Sequence, residues 1–268
     1  MASHFVRGGR SRGAHGREDH RVTVSVVMHG ARDETSGILD ALAALASPHV
    51  SRVVVTRNLP SCGAADAPPA RAAYPFELVV LVNEAPQGFA VNHNRAFAHC
   101  TTSWFAVVNP DIAFPWGDPF PALLAAAVRT ERPGALAPLL VDPRRKRAAP
   151  LRGMVTPWEI LRHRLPGASA PADVFWLPGA FLLLAESAFR AVGGFDEGYR
   201  LYCEDVDLGL RLRQEGWSLA RVEDARVLHR GRRSSHYRPG YARLHLQSLI
   251  RLNRRWRGHA LPSRGTPR

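Results

Sequence analysis

Three carboxylates, Glu204, Asp205 and Asp207, lie within four positions at the start of an amphipathic segment. Capping is one explanation of the cluster, because the unpaired N–H groups and the dipole of a helix favour negative charge at its N-terminus. A single aspartate is enough to cap a helix, however, and adjacent carboxylates repel each other unless a cation or a proton-transfer role offsets the repulsion. The excess of carboxylates predicts a reactive site in which Asp205 is the candidate general base.

Two further groups could bind a cation or a phosphate. Asn109-Pro110-Asp111 follows an apolar run of strand length, where a carboxylate can bind a hard divalent ion, although the tripeptide is also typical of a turn. His229 follows another apolar run, although a lone histidine is more often structural. The arginine-rich segment after it includes Arg233, and guanidinium groups suit a diphosphate.

The segment from Pro178 to Trp217 reads PGAFLLLAESAFRAVGGFDEGYRLYCEDVDLGLRLRQEGW. It resembles the carboxyl half of the family 2 glycosyltransferases, and within them the rhamnosyltransferase-like branch, which carries a Gly-Gly-Phe-Asp-Glu loop and a Glu-Asp-x-Asp-Leu motif. The resemblance extends to blocks at Gln87–Phe97, Val107–Ile112 and Val227–Ser235. These blocks follow the family's order and span residues 22–256.

The resemblance implies an inverting, metal-dependent enzyme that takes a sugar from a nucleotide-sugar donor. Asp205 would remove the proton of the acceptor hydroxyl, and Glu204 would orient Asp205 or the acceptor. Asp111 and His229 would hold a divalent cation, Mg²⁺ or Mn²⁺, and Arg233 would face the diphosphate. The sugar, in this branch rhamnose, would go to a glycan or a lipid-linked acceptor in the synthesis of a bacterial surface polysaccharide.

The resemblance also implies a set of donor-binding residues. They are Asn58, Gly88, Phe89, Asn92, Asn94, Gly179 and Ala180. The nucleotide end departs from the family's pattern, because Met28-His29-Gly30 stands in place of a Thr-Tyr-Asn-like segment and Arg57 in place of an acid. A non-catalytic relative that keeps the fold is therefore the main alternative.

Strands and helices alternate in the amino-terminal half of the chain. Strands are predicted at Val22–Met28, Arg52–Thr56, Phe76–Val82 and Trp104–Val108, and helices at Gly37–Ala46, Val91–Ala98 and Asp118–Val128. Such alternation favours a mostly parallel α/β sheet flanked by helices, with its site at the carboxyl ends of the strands. Together with the resemblance, it predicts a single Rossmann-like GT-A domain over residues 21–257.

The carboxyl-terminal half is predicted to be less regular. Its predicted strands are a broken one at Val174–Leu184 and two short ones at Leu219–Val222 and Ala225–Leu228. Its predicted helices are Met154–Leu165, Ser187–Ala191 and Val206–Glu215, and Leu59–Pro75 and Val141–Gly153 are predicted loops. Residues 1–20 and 258–268 are predicted to be disordered tails.

The composition of the chain indicates its cellular compartment and the kinds of partner it could bind. No apolar run reaches the length of a membrane span and the N-terminus does not resemble a signal peptide, so a cytoplasmic protein with free cysteines is expected. The net charge of +13 favours anionic partners, namely phosphorylated substrates, anionic lipid or nucleic acid. A nucleic-acid-binding protein is the alternative from another class, but the chain lacks the interleaved aromatic and basic residues of the usual modules, and we expect no nucleic-acid partner.

The basic charge is concentrated near the carboxyl end. Residues 226–257 contain ten arginines and no acid. A helical stripe of apolar residues lies in the same region, at Tyr241, Leu244, Leu249, Leu252 and Trp256. The combination predicts an interfacial helix on the inner face of an anionic membrane, and the alternative is that the stripe packs against the protein itself.

Overall fold

The computed structural model describes residues 20–28, 32–59, 74–142, 147–148, 176–230 and 239–257, with only the backbone at 32–36, 147–148 and 239–242. The predicted tails, the predicted helix Met154–Leu165 and most of the loop at Leu59–Pro75 lie outside these residues, as does Arg233. The elements in chain order are β1 Val22–Met28, α1 Arg32–Ala44, β2 Val50–Arg57, β3 Glu77–Val82, α2 Phe89–Phe97, β4 Trp104–Val108, β5 Ile112–Ala113, α3 Phe120–Arg129, β6 Pro133–Asp142, β7 Arg147–Ala148, β8 Phe181–Ala185, α4 Glu186–Ala191, α5 Glu204–Gln214, β9 Ser218–His229 and α6 Pro239–Trp256.

One mixed sheet runs through the molecule in the order β3-β2-β1-β4-β8-β6-β9-β5, with β7 paired to β6. The first four strands of that order are parallel to one another, and β6 is parallel to β9. Strand β8 lies antiparallel between β4 and β6. The predicted α/β sheet flanked by helices is confirmed, with β8 as its antiparallel centre.

Both faces of the sheet are covered, which explains why β1 is buried along its whole length. On one face, Val24 and Val26 join a cluster with α1 and α3. The two polar side chains of β1 are paired inside the protein, since Thr23 Oγ1 lies 2.9 Å from Thr102 Oγ1 and Ser25 Oγ lies 2.8 Å from His93 Nδ1. The strand therefore buries its hydroxyls without leaving them unsatisfied.

Several strands differ from the sequence prediction. The two-residue strands β5 and β7 were not predicted, and β7 lies within the predicted loop Val141–Gly153. Strand β6 was not predicted, although it lies at the centre of the carboxyl-terminal half of the sheet. The two short strands predicted around residue 223 form one strand, β9, and its register against β6 shifts between Pro138 and Leu139. Glu223 and Asp224 lie exposed at that irregularity, so the predicted break corresponds to a bulge within a continuous strand.

The carboxyl-terminal part of the apolar stripe on α6 packs against the protein itself. Leu252 and Trp256 are buried in a cluster with Tyr199, Val206 and Leu210, among others, and this cluster joins α6 to α5 and to the segment before it. The prediction that these two side chains face a membrane is therefore wrong, because they already have an apolar environment. Among the described helices, none combines the length and the apolar content that crossing a bilayer requires.

Candidate active site

The candidate site is assembled around Gly179 and Ala180, the two residues before β8. The Gly179 amide donates to Asp205 Oδ2 at 2.9 Å, and the Ala180 carbonyl accepts from the Asn109 amide at 2.9 Å. Two consecutive residues thus connect the first turn of α5 with the end of β4. The structure brings the predicted base and the Asn-Pro-Asp motif to the same place, as expected for the carboxyl end of a strand.

The chain enters α5 through a strained turn. Tyr202 and Cys203 have φ values of 69° and 68°, in the left-handed region that costs a residue with a side chain roughly 1–2 kcal/mol. Asp205 lies one residue into the helix and its Oδ1 accepts the Val206 amide at 2.9 Å. The turn therefore directs Asp205 towards Gly179, and such strain persists only where the surrounding structure holds it.

Glu204 is buried beside Asp205, and within the described part of the chain its Oε2 has no hydrogen-bond partner. Burial, followed by the negative charge of Asp205, raises the pKa of Glu204 to about 8. Burial and the neighbouring carboxylates also raise the pKa of the Cys203 thiol to about 12. Near neutral pH, burial and the charge of Asp205 therefore favour the protonated form of Glu204.

Asp207, the third carboxylate, points away from this pair and is completely buried. Its Oδ2 accepts from Arg211 Nε at 2.7 Å and its Oδ1 accepts from Trp256 Nε1 at 2.9 Å. Arg255 Nε approaches Oδ1 at 3.4 Å. Asp207 therefore joins α5 to α6 and is a structural carboxylate.

The structure also brings Asp111 and His229 together. The residue after Asp111 pairs with His229 in the β5–β9 ladder, and His229 Nε2 lies 3.5 Å from Asp111 Oδ2. Both side chains are partly exposed, at 26% and 30%. A carboxylate oxygen and an imidazole nitrogen at this spacing fit a divalent cation that takes its remaining ligands from phosphate oxygens and water.

A self-sufficient metal site is not present among residues for which side chains are described, since no group of three or more His, Cys, Asp or Glu could hold an ion there. Asp111 and His229 would therefore need oxygens from a bound diphosphate to complete the coordination. Such a pair is suited to a cation that binds together with a phosphorylated substrate. It is less suited to a structural ion that stays bound permanently.

Gly88 and Phe89 place the start of α2 against the same site. A Cβ on Gly88 would lie 3.1 Å from the Arg200 carbonyl, and a Cβ on Gly179 would lie 3.3 Å from Phe89 Cζ. Small residues at 88 and 179 therefore permit the close approach of α2, the turn before α5 and β8. Phe89 is half-buried beside Asp205 and is available to line the site.

Asn58 and Asn92 belong to an internal amide network rather than to an open surface. Asn58 Oδ1 accepts from the Gln87 amide at 2.8 Å, from Asn83 Nδ2 at 2.8 Å and from Asn92 Nδ2 at 3.0 Å. Asn58 and Asn83 are 2% exposed and Asn92 is 0% exposed. Their side chains hold the ends of β2 and β3 and the turn at Gln87. They would therefore affect nucleotide binding indirectly, through the conformation of that turn.

Asn94 has a structural partner as well. Its Nδ2 donates to the Phe195 carbonyl at 2.8 Å and its Oδ1 accepts from the Phe195 amide at 2.9 Å. Gly194 has a φ of +73°, and a Cβ there would lie 2.6 Å from Asn94 Oδ1. Asn94 therefore clamps the Gly-Gly-Phe-Asp-Glu loop, and the hydrogen bonds described for its side chain go to that loop.

Sequence reasoning missed Asn83 and Trp256. Asn83 follows β3 as Asn58 follows β2, so its position at a strand end was a usable signal. Trp256 was assigned to an apolar stripe, which gave no indication of its hydrogen bond to Asp207. At the departures from the family's pattern, Met28 is buried and Arg57 is half-buried, and His29 and Gly30 lie outside the described residues.

The sequence profile of the glycosyltransferase-like family 2 matches residues 20–258. The chain belongs to this family. An N-acetylglucosaminyl-diphospho-decaprenol L-rhamnosyltransferase of Mycobacterium tuberculosis is 42% identical over 146 residues, covering 47% of this chain and 46% of the relative. Rhamnosyltransferase WbbL of Escherichia coli K12 is 42% identical over 72 residues, covering 26% and 27% of the two chains. The chain thus spans less than half the length of either relative, and the predicted rhamnosyltransferase-like resemblance is confirmed.

Solved structures support the fold. A mannosyltransferase from Pyrobaculum calidifontis, solved with GDP-Man and Mn²⁺, superimposes with a TM-score of 0.64 at 18% identity, over 94% of this chain and 70% of that one. GalNAc-T7, solved with UDP, GalNAc and Mn²⁺, gives a TM-score of 0.63 at 15% identity, over 91% and 49% of the chains. The predicted GT-A fold is confirmed.

Proposed function

We propose that this protein is an inverting glycosyltransferase that moves a sugar, rhamnose in the first instance, from a nucleotide-diphosphate donor to a lipid-linked or glycan acceptor. The junction at Gly179 and Ala180 is the observation that carries the proposal. On one side of this short backbone segment lies Asp205, the proposed base, and on the other lies the Asn-Pro-Asp motif, whose Asp111 is adjacent to His229. Rhamnose is favoured by the names of the two relatives.

Asp205 would act as the base of a single displacement. The acceptor hydroxyl oxygen forms the new bond to the anomeric carbon, the bond from that carbon to the diphosphate oxygen breaks, and the hydroxyl proton passes to the Asp205 carboxylate. Glu204, which is protonated near neutral pH, would donate a hydrogen bond to the acceptor or to Asp205. The base and its neighbour thereby have different protonation states, as their different roles require.

The leaving diphosphate needs positive charge. A divalent cation, Mg²⁺ or Mn²⁺, held by Asp111 and His229 would supply it by neutralising charge on the phosphate oxygens. Arg233, which lies outside the described residues, is the proposed further contact to the diphosphate. The cation proposal rests on the adjacency of Asp111 and His229. The Arg233 proposal rests on the positive charge of the segment that follows His229.

The nucleoside would lie against Gly88 and Phe89, with Gly179 and Ala180 close to the sugar. The amide network of Asn58 and Asn92 would keep the Gln87 turn in the shape that this contact requires. In this proposal, residues from the amino-terminal half of the chain bind the donor, and residues from the carboxyl-terminal half activate the acceptor.

A thermal-shift panel tests the proposal and identifies the donor. UDP-, dTDP- and GDP-linked sugars, rhamnose among them, are titrated with Mn²⁺, Mg²⁺ or EDTA, because a ligand that binds the folded state raises its melting temperature. Donors that bind are then assayed for transfer to a synthetic N-acetylglucosaminyl-diphospho-lipid. Binding without transfer by the wild-type chain, to this acceptor or to free glycans, would favour the non-catalytic relative. No cation-dependent shift with any donor would contradict the proposal.

We further propose that the protein meets its acceptor at an anionic membrane surface through the exposed face of α6. Leu246 and Ile250 are 58% and 45% exposed on that face. Arg243 and Arg254 are exposed on the same helical stripe, one on either side of the two apolar residues. Each arginine near an anionic surface contributes about 1 kcal/mol, so binding is expected to depend on salt.

Co-sedimentation with anionic and neutral vesicles, at low and high salt, tests the membrane proposal. The wild-type chain is expected to pellet with anionic vesicles at low salt, and Leu246→Ser with Ile250→Ser to reduce that fraction. Val128→Ser, at an exposed apolar position on α3, is the matched control. Equal pelleting on both vesicle types, or no effect of the α6 substitutions, would contradict a role for this face.

A further inference from the structure

Helix α6 contacts the segment that precedes α5 through polar bonds as well as through apolar packing. Ser248 Oγ donates to the Leu201 carbonyl at 2.8 Å. Arg251 and Arg255 both pair with Asp196, at 2.9 Å and 2.7 Å. Helix α6 is therefore bonded to the chain on the amino-terminal side of the strained turn.

The same helix is bonded to the chain on the carboxyl-terminal side of that turn. Trp256 Nε1 donates to Asp207 Oδ1, which belongs to the first turn of α5 and is completely buried. Asp205 and Asp207 are two residues apart on a helix, so their side chains leave it in nearly opposite directions. One carboxylate is held by Gly179 and the other by Trp256.

The strained residues themselves lie under α6. The Tyr202 ring is 4.8 Å from the His245 ring, and Cys203 is buried in the cluster that contains Leu252 and Trp256. Residues in the left-handed region keep that conformation only if their surroundings hold it. Helix α6 provides those surroundings and is bonded to the backbone or side chains on both sides of the turn.

We propose that Trp256 is a positioning residue for the transfer reaction. Its hydrogen bond to Asp207 fixes the first turn of α5, and that turn in turn keeps Asp205 against Gly179. Trp256 acts through Asp207 rather than through a substrate, so we expect its effect on the rate of the chemical step rather than on donor binding. The kinetic part of the proposal rests on the proposed glycosyltransferase function, whereas the structural part does not.

Hydrogen–deuterium exchange of the full-length chain tests the structural part. Trp256→Phe keeps an aromatic ring in the cluster and removes the N–H donor. We expect the amides of residues 199–206 to exchange about tenfold faster in this variant, because local opening of the turn becomes easier. Ser248→Ala, which removes the hydroxyl that donates to Leu201, is expected to raise exchange over the same residues.

Trp217→Phe is the matched control. Trp217 lies just beyond the other end of α5, where Arg132 stacks over its ring at 4.8 Å. The same substitution there is expected to leave exchange at residues 199–206 unchanged. Unchanged exchange over those residues in Trp256→Phe would overturn the positioning role of Trp256, whatever Ser248→Ala shows and whether or not the wild-type chain transfers sugar.

Steady-state kinetics test the catalytic consequence. Trp256→Phe is expected to lower kcat by about 10- to 100-fold, as small misplacements of a reacting group do, and to change the donor KM by less than about threefold. Nucleotide-binding stoichiometry corrects each kcat for the folded fraction. A kcat equal to that of Trp217→Phe would overturn the proposal. Absence of transfer by the wild-type chain would instead contradict the proposed function and leave the exchange result to decide the structural part.

Discussion

The two sides of the candidate site are built from polar residues in opposite ways. On the donor side, Asn58, Asn83 and Asn92 bond to one another and to the Gln87 turn, and all three are buried. On the acceptor side, Glu204 is equally buried but keeps an oxygen without a partner among the described residues. The side-chain amides on the donor side are thus satisfied by hydrogen bonds, whereas the Glu204 carboxylate on the acceptor side is poorly solvated.

The backbone conformation also differs between the two sides of the site. The donor side rests on the parallel strands β1, β2 and β3, and the register between β1 and β2 shifts only at their amino-terminal ends, between Val22 and Thr23. The acceptor side enters α5 through two successive residues in the left-handed region. A satisfied network gives a rigid support, and strain with an unsatisfied carboxylate is typical of a reacting site. Substitutions on the donor side should therefore cost stability, and those on the acceptor side should cost catalysis.

Asp205→Asn gives the largest expected effect. The amide keeps the size of the side chain but cannot accept the hydroxyl proton, so transfer should fall at least about 10³-fold. Nucleotide affinity should change little, because the base acts in the transition state. The denaturation midpoint should fall modestly, because asparagine has one acceptor oxygen and cannot accept from both the Gly179 and the Val206 amides. Transfer rates and isothermal titration of the nucleotide check both parts. Transfer within tenfold of wild type would remove Asp205 from the role of base.

Asp111→Ala and His229→Ala test the cation-binding pair between the two sides. Each variant should raise the Mn²⁺ concentration needed for donor-dependent stabilisation by about 10- to 100-fold, since either loss leaves a single protein ligand. Asp224→Ala, at the exposed bulge of β9, is the control for loss of one negative charge. Identical Mn²⁺ titrations in all three variants and wild type would exclude a metal site at these residues.

Sequence reasoning succeeded where a single physical signal dominates. Strands β1 and β4 have the predicted bounds because β1 is rich in β-branched residues, β4 is a continuous apolar run, and both strands are mostly buried. The pairing of Asp111 with His229 was implied by the resemblance alone, and the structure places the two side chains 3.5 Å apart. No rule of spacing would have joined residues so far apart in the chain.

Sequence reasoning failed where tertiary contacts determine the secondary structure or the partners of a side chain. Strand β6 contains Pro133 and Pro138, which argue against a central strand, and the sheet accommodates Pro138 at a shift of register. The amides of Asn58 and Asn92 look alike in sequence whether they bind a ligand or one another. Only the fold shows that their hydrogen bonds are made internally.

Asn92→Ala tests the donor side as a support. The substitution removes a donor to Asn58 and an acceptor for Asn83 inside the protein, so the free energy of unfolding should fall by about 1–3 kcal/mol. The transfer rate per folded molecule should stay within about threefold of wild type. Urea denaturation and active-site titration measure the two quantities. A large loss of nucleotide affinity at unchanged stability would instead support the direct contact that the sequence predicted.

Glu204→Gln gives the smallest effect and tests the acceptor side by its pH dependence. Because the pKa of Glu204 is raised to about 8 in the folded protein, the folded state holds a proton that the unfolded chain releases near pH 4.5. The wild-type chain therefore loses stability as pH rises from 4.5 to 8, whereas glutamine has no proton to lose. Relative to wild type, Glu204→Gln should gain at least about 1 kcal/mol between pH 5 and pH 8. Urea denaturation of both chains across this range measures the difference. A constant difference would show that Glu204 ionises in the folded protein as it does in water, and the contrast between the two sides of the site would then rest on the strained turn alone.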